Sequence, residues 1–309
     1  MSRSIVQNIV FATDFSEYAG RAREYAVFLA KAYHAGLHVV HVADSPLWYG
    51  SNAATILYLE QAKQEGEKQL AAMEQQLMDG GVAAVDVRLP AGIPSEEIKK
   101  AAQEIGADLV VVGTRGRTGL EAILLGSTAE RVIKDAPCPV LAVRAMAGAS
   151  LPPSIQHVMA PLDFSSPSLD AAEYAIQVAN HFGAKLTLIH VLEPIYYGEP
   201  ELRTVEVQQQ ARTHWQEQLN QLAGSISSLG LATETMLRGG VPADSIVESA
   251  TKQGCDLIVM GTHGRRGWSW LRFGSVAEAV LRQAPCPVLT VKSPKFESGH
   301  RRIMPQMVD

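Results

Sequence analysis

The chain has 309 residues, of which 47% are hydrophobic and 19% charged, and its net charge is −5. This length suits two domains of ordinary size, each with enough apolar residues for its own core. Residues 1–147 hold 14 of the 27 basic and 17 of the 32 acidic residues. Neither half therefore has the positive excess that is typical of a nucleic-acid-binding domain.

The sequence shows no targeting segment and no disulfide or redox motif. No apolar run approaches the roughly 18 residues of a membrane span, and the amino-terminal segment lacks the apolar core of a secretory signal. The three cysteines form no CxxC pair, and Cys138 and Cys286 stand at equivalent points of two APCPV segments, where we interpret them as small apolar residues. We expect a cytoplasmic protein that binds neither membranes nor nucleic acids.

Short β-branched runs alternate with longer helical patterns along the first half of the chain. The pattern predicts strands within 4–13, 37–42, 82–90, 108–113 and 139–144, and helices within 16–35, 52–80, 95–105 and 127–136. Runs such as LVVV, without two-residue alternation, are typical of strands buried on both faces. Regular alternation of strand and helix predicts an α/β fold, with a mostly parallel sheet and helices on both of its faces.

The second half of the chain repeats the first. Residues 106–143 align without gaps on 254–291 with more than half of the positions identical, and NIVFATDFS (8–16) aligns on HVMAPLDFS (157–165). A repeat of this length indicates two whole domains in tandem. We predict domains at 1–147 and 155–293, a linker rich in small residues and proline at 148–154, and a tail at 294–309.

A glycine motif follows the fourth predicted strand in each half. It has the form Gly-x-x-Gly, nine residues, Gly-Ser, and it occurs in GTRGRTGLEAILLGST (113–128) and GTHGRRGWSWLRFGSV (261–276). Glycine lets backbone N–H groups approach an anion, and the helix that follows offers its N-terminus to phosphate. The candidate ligands are Gly113, Arg115, Gly116, Arg117, Gly126, Ser127, Thr128, Gly261, His263, Gly264, Arg265, Gly274, Ser275 and Val276. The competing interpretation makes the glycines simple turns and the serines N-caps.

An aspartate ends the first predicted strand of each half. Ligands of open α/β sheets lie beyond the carboxyl ends of the strands, where strand order reverses. If strands one and four are neighbours, Asp14 and Asp163 share a crevice with the glycine motifs. A carboxylate repels phosphate, so we place it on ribose hydroxyls or on a divalent metal. Alternatively, Asp14 caps a helix with Glu17, and Ser166 is an N-cap with Pro167 at the first helical position.

Other motifs of nucleotide enzymes do not fit. The chain has no GxxxxGK[ST], and the glycine spacing is not GxGxxG. The nine histidines show no HExxH spacing, and no Ser-His-Asp arrangement recurs in both halves. We therefore predict no catalytic residues and no metal site made by protein ligands alone.

These motifs resemble the universal stress protein family in its tandem form. The closing APCPVLAV and APCPVLTV segments support the likeness. The resemblance implies an adenine-nucleotide alpha-hydrolase-like fold, with two open five-stranded parallel sheets in the order 3-2-1-4-5. It also implies binding of ATP or AMP, with Mg²⁺ as an optional companion. Asp14 and Asp163 would then meet the ribose, Val42 and Val191 would border the adenine, and the glycines and serines would hold the phosphates.

We predict a stress-response regulator that binds adenine nucleotide and hydrolyses ATP slowly at most. One alternative is an enzyme that hydrolyses ATP or transfers a phosphoryl or adenylyl group. Another is a nucleotide-independent interaction scaffold that uses GWSWLRF (267–273) and the open sheet edge. The resemblance also implies pairing of the closing strands, which would give a pseudo-dimer within one chain, with a homodimer as a further option. The sequence indicates no particular protein partner.

Overall fold

The computed structural model describes residues 5–44, 53–114, 125–144, 152–193, 205–262 and 274–292. The chain divides into two compact units, Met1–Pro153 and Ser154–Asp309. Each unit is built on a five-stranded parallel sheet against which helices pack. This architecture confirms the predicted α/β class.

The first unit has its strands in the order predicted from the family resemblance. In chain order it contains β1 (Asn8–Ala12), α1 (Glu17–Tyr33), β2 (Gly36–Val40), β3 (Ala43–Asp44), α2 (Ala53–Asp79), β4 (Val85–Arg88), β5 (Ala91–Gly92), α3 (Pro94–Ile105), β6 (Leu109–Gly113), α4 (Ser127–Asp135) and β7 (Val140–Val143). The sheet order is β4-β2-β1-β6-β7, and β3 and β5 form a separate two-stranded pair. Ile9 pairs with Leu37 on one side and Leu109 on the other, so strand order reverses beside β1.

The second unit repeats this arrangement. It contains β8 (His157–Leu162), α5 (Ser166–Phe182), β9 (Lys185–Leu192), α6 (Val205–Ser227), β10 (Thr233–Gly239), α7 (Pro242–Gln253), β11 (Leu257–Gly261), α8 (Ser275–Gln283) and β12 (Val288–Val291). Its strands lie in the order β10-β9-β8-β11-β12. Val158 of β8 pairs with both Leu186 and Leu257, so strand order reverses beside β8 as it does beside β1.

The central strands are buried because helices cover them. Ile9, Val10 and Phe11 of β1 are fully shielded from solvent. On α1, Ala22 and Ala26 are equally buried, and their short side chains let the helix lie close to β1 and β6, which it contacts. Burial of these apolar surfaces is the main stabilising contribution to each unit, and it fixes the positions of the strand ends.

The predicted strands of the first unit extend beyond the observed ones. The first strand spans Asn8–Ala12 rather than 4–13, and the third ends at Arg88 rather than at residue 90. The second strand ends at Val40 rather than at residue 42, because the chain then shifts to the separate β3–β5 pair. The third strand begins at Val85 rather than at residue 82, because the N–H of Val82 donates to the carbonyl oxygen of Leu77 and closes helix α2. The β3–β5 pair has only two residues in each strand and was not predicted.

Candidate functional site

The turn after β1 fixes the side chain of Asp14. Its Oδ1 accepts hydrogen bonds from the N–H and the Oγ–H of Ser16, at 3.0 and 2.6 Å. The Oγ of Ser16 accepts in turn from the N–H of Ala19, which makes Ser16 the N-cap of α1. The interpretation of Asp14 as a helix cap completed by Glu17 is therefore wrong, because the serine two residues later satisfies the helix.

The second unit builds the same turn around Asp163. The Oδ1 of Asp163 accepts from the N–H and Oγ–H of Ser165, at 3.0 and 2.5 Å. Ser165, with extended dihedral angles, is the N-cap of α5. The prediction of Ser166 as the cap is wrong by one residue: Ser166 is the first helical residue and Pro167 the second. A proline is tolerated there because the first turn of a helix has no partner for its N–H groups.

Both turns place a phenylalanine in the left-handed region. Phe15 has φ 58° and Phe164 has φ 62°. This conformation costs a non-glycine residue roughly 1–2 kcal/mol, so surrounding contacts must hold it. Each phenylalanine directly follows an aspartate, and the bend therefore determines the direction of the carboxylate.

The glycine loop begins beside the aspartate turn. Ala12 of β1 pairs with Val112 of β6, so Asp14 and Gly113 leave the sheet at the same edge, on adjacent strands. In the second unit β8 and β11 are likewise paired and parallel. Asp163 directly follows β8, and Gly261 is the last residue of β11. In each unit the aspartate and the first glycine of the motif therefore leave adjacent strands at one edge, where strand order reverses.

A backbone hydrogen bond closes the neck of each glycine loop. The N–H of Gly126 donates to the carbonyl oxygen of Thr114 at 2.9 Å, and the N–H of Gly274 donates to that of Thr262, also at 2.9 Å. Each loop therefore returns to the point where it left the sheet. The first turn of the following helix is in this way held at the carboxyl edge of the strands.

Helices α4 and α8 begin with a glycine at the N-cap. Gly126 and Gly274 have φ −61° and −64°, and a glycine has no side-chain oxygen to offer to the first-turn N–H groups. Ser127 and Ser275, which the alternative interpretation made N-caps, are instead the first residues of these helices and are exposed. Thr128 is exposed and Val276 is half-buried. Such a helix start suits an anion, because it combines N–H donors with the positive end of the helix dipole.

The remaining predicted ligands divide into two groups. Val42, just beyond β2, is buried, and Val191, within β9, is half-buried. Both lie at the edge that carries the aspartate turn, since β2 and β9 pair with β1 and β8. The others lie outside the described residues: Arg115, Gly116, Arg117, His263, Gly264 and Arg265. The aromatic segment 267–273 also lies outside them.

The cysteines are buried or partly buried, and the two in the second unit have thiols of low reactivity. Burial raises the pKa of the Cys255 thiol to about 11, and it raises the pKa of the Cys286 thiol as well. Both thiols stay protonated at neutral pH, and a thiol is a far weaker nucleophile than a thiolate. Cys138 is buried too. These environments agree with the interpretation of Cys138 and Cys286 as small apolar residues.

The described residues contain neither a membrane-spanning helix nor a cluster of metal ligands. None of the helices among them is both long and apolar enough to cross a bilayer. Nor does any group of three or more histidine, cysteine, aspartate or glutamate side chains among them have an arrangement suited to a metal ion.

The sheet order and the repeated edge define a tandem α/β protein with the adenine-nucleotide alpha-hydrolase-like fold. The model of the universal stress protein family matches residues 6–144 and 154–292. A universal stress protein of Methanocaldococcus jannaschii is 38% identical over 143 residues, which are 46% of this chain and 84% of the relative. The chain therefore belongs to the universal stress protein family.

Two solved structures illustrate the similarity. A universal stress protein from Archaeoglobus fulgidus DSM 4304 superposes with a TM-score of 0.71 at 24% identity, over 92% of this chain and 96% of the other. A universal stress protein in complex with cAMP is similar over 45% of this chain and 98% of its own, at 26% identity and a TM-score of 0.35. The first of these likenesses spans both units and shows their common fold.

Proposed function

We propose that the chain binds ATP or AMP at the carboxyl edge of each sheet and acts as a regulator in a stress response rather than as a metabolic enzyme. Membership of the universal stress protein family supports the proposed role in a stress response. The chemistry of the two edges supports the ligand, because each edge combines a fixed carboxylate with a helix start that favours anions.

One observation carries this proposal. In both units a glycine loop is closed at its neck by the same backbone hydrogen bond, at the same 2.9 Å. The closure holds the N-terminus of α4 or α8 at the end of β6 or β11, the strand next to the one that precedes the aspartate. A nucleotide presents both an anionic phosphate chain and a ribose with hydroxyl donors, and the two features of the edge match these two parts.

Each part of the nucleotide has proposed contacts. Asp14 and Asp163 accept from ribose hydroxyls, and Val42 and Val191 border the adenine. The phosphates lie against the starts of α4 and α8 and against the glycine loops, including the arginines and His263 of the predicted set. Mg²⁺ would accompany ATP as a counterion of its phosphates.

The described polar groups of the edge support a binding role over a catalytic one. The Oδ1 atoms of Asp14 and Asp163 accept two hydrogen bonds each within their turns. His41 and His190 use Nδ1 to contact a backbone carbonyl oxygen. These atoms serve the local structure, so we propose that hydrolysis of a bound triphosphate is slow at most.

Binding and turnover assays on the nucleotide-stripped protein test the proposal. We expect ATP and AMP to raise the melting temperature and GTP to raise it less, and we expect ATP turnover below about 1 s⁻¹, the low end of ordinary enzymes. Turnover above that rate would favour the enzyme alternative, and a melting temperature unaffected by any nucleotide would favour the scaffold. Assembly is a separate part of the proposal: the mass of the particle in solution distinguishes a single-chain pseudo-dimer from a homodimer.

A further inference from the structure

A buried histidine contacts the aspartate turn of the first unit on both sides of the aspartate. Nδ1 of His41 lies 2.8 Å from the carbonyl oxygen of Thr13, the residue before Asp14. The ring of His41 packs on Phe15, the residue after Asp14, with 4.5 Å between centroids. A carbonyl oxygen only accepts, so Nδ1 of His41 carries the proton and donates it.

The second unit repeats this double contact. Nδ1 of His190 donates to the carbonyl oxygen of Leu162 at 2.6 Å, and its ring meets Phe164 edge-on at 5.4 Å. The residue before the aspartate has changed from threonine to leucine, yet the contact is kept. It persists because the histidine bonds to the backbone, which does not depend on the neighbouring side chain.

The double contact acts where the turn needs support. Phe15 and Phe164 hold positive φ angles, which a non-glycine residue keeps only when its surroundings enforce them. The histidine fixes the peptide before the aspartate by a hydrogen bond and the ring after it by packing. His41 and His190 are themselves buried, with 7% and 5% of their surface exposed. The backbone that bears the carboxylate is thus held at both of its ends.

We propose that His41 and His190 are positioning residues that aim Asp14 and Asp163 at the ribose of the bound nucleotide. The proposal rests on the proposed function and adds to it the residues that orient the ribose-binding carboxylates. The histidine acts through the aspartate and not on the ligand. Replacing the histidine should therefore lower the affinity only for ligands whose ribose hydroxyls the aspartate contacts.

The test compares ATP with 2′,3′-dideoxy-ATP in calorimetric titrations of the wild type and of the double variant His41→Phe/His190→Phe. Phenylalanine keeps a ring for the packing but removes the donor. We expect the affinity for ATP to fall about tenfold, the worth of one good hydrogen bond. We expect the affinity for the dideoxy nucleotide to stay unchanged, because that ligand lacks the hydroxyls that the aspartate contacts.

A second variant separates positioning from folding. His41→Asn/His190→Asn restores an N–H donor near the position of Nδ1, and we expect it to recover part of the ATP affinity even if the phenylalanine variant is unstable. His38 is a half-buried histidine on β2, three residues before His41. His38→Phe is the matched control and should leave both affinities unchanged.

Three results would overturn the proposal. Equal losses of ATP and dideoxy-ATP affinity would show that the histidines only support the packing of the edge. Unchanged ATP affinity in the phenylalanine variant would show that the aspartate needs no such support. A wild type that binds ATP and dideoxy-ATP equally would refute selection of ribose, while a wild type that binds neither nucleotide would refute the proposed function as well.

Discussion

At the scale of single residues, each unit uses two aspartates for opposite purposes. Asp14 and Asp163 stand at the carboxyl edge, within the candidate site. Asp108 and Asp256 stand at the other end of the sheet, where Oδ2 of each accepts from two successive backbone N–H groups at 2.8 and 3.0 Å. The second pair ties the start of strand one to the start of strand four, and its role is structural.

Replacing a structural aspartate should lower stability without lowering nucleotide affinity. Asp256→Ala removes the acceptor for the N–H groups of Gln156 and His157. We expect it to cost at least about 1.5 kcal/mol in urea unfolding of the second unit, the low end of the range for one hydrogen bond to a charged group. Glu217→Ala, at an exposed position within α6 of the same unit, is the control. A stability equal to that of the control would contradict this assignment.

A single histidine should make stability depend on pH. Burial, with the nearby Lys185 ammonium, lowers the pKa of His157 below its ordinary value of 6.5. The unfolded chain then binds more protons than the folded one once the pH falls below about 6.5. We therefore expect the contribution of His157 to the free energy of unfolding to be complete above about pH 6.5. It should be lost as the pH falls from there towards the lower pKa of the folded state.

The first unit supplies the variant that tests this dependence. Asn8 stands where the second unit has His157, so His157→Asn is a substitution that the fold already accommodates. Urea unfolding of both proteins between pH 5 and 8 should show a shallower loss of stability at low pH for the variant. Parallel curves for the two proteins would show that His157 is not the titrating group.

At the scale of whole elements, the helices beside the two aspartate turns differ. Trp215 of α6 stacks on Phe164 at 5.0 Å and lies 4.7 Å from the ring of His190. Gly66 of α2 is the corresponding residue of the first unit, and a Cβ added to it would lie 3.2 Å from Leu89 and 3.4 Å from Cδ2 of His41. The second unit therefore has a large aromatic ring packed on Phe164 and His190, at a position where the first unit has a glycine.

Trp215 should report on nucleotide binding at the second unit alone. In a protein whose other tryptophans (Trp48, Trp268 and Trp270) are replaced by phenylalanine, we expect ATP to change the fluorescence. The change should persist in Asp14→Asn and disappear in Asp163→Asn. Of the two aspartates, only Asp163 is next to a residue, Phe164, whose ring contacts Trp215. A signal that follows Asp14 instead, or no signal from a protein that binds ATP, would contradict this prediction.

The sequence predicts these elements unevenly. Buried parallel strands are evident from runs such as LVVV and LIVM, and the loop glycines from their repetition. The left-handed Phe15 and Phe164 are not, because phenylalanine has no intrinsic preference for that conformation and adopts it only under the contacts of the folded state. The start of α5 differs by one residue because either Ser165 or Ser166 suits an N-cap by residue type, and in the fold Ser165 takes that place.

At the scale of the whole molecule, the tandem repeat makes each unit a control for the other. The aspartate turn, the histidine contact and the closed glycine neck occur in both units with nearly equal distances. Of the site, the sequence predicted the aspartate and the glycine motif at one edge. It could not predict the histidine contact, which joins the ends of two different strands and depends on a backbone carbonyl oxygen.

Calorimetric titration of the nucleotide-stripped protein with ATP and Mg²⁺ tests the central claim, that both edges bind nucleotide. Asp14→Asn and Asp163→Asn are the informative variants, because asparagine keeps an oxygen for the serine contacts of the turn and replaces the other oxygen with a donor. We predict two sites per chain in the wild type, with affinities on the order of micromolar (about −8 kcal/mol), one site in each single variant, and no measurable site in the double variant. Absence of binding in the wild type, or two sites retained in the double variant, would contradict the account.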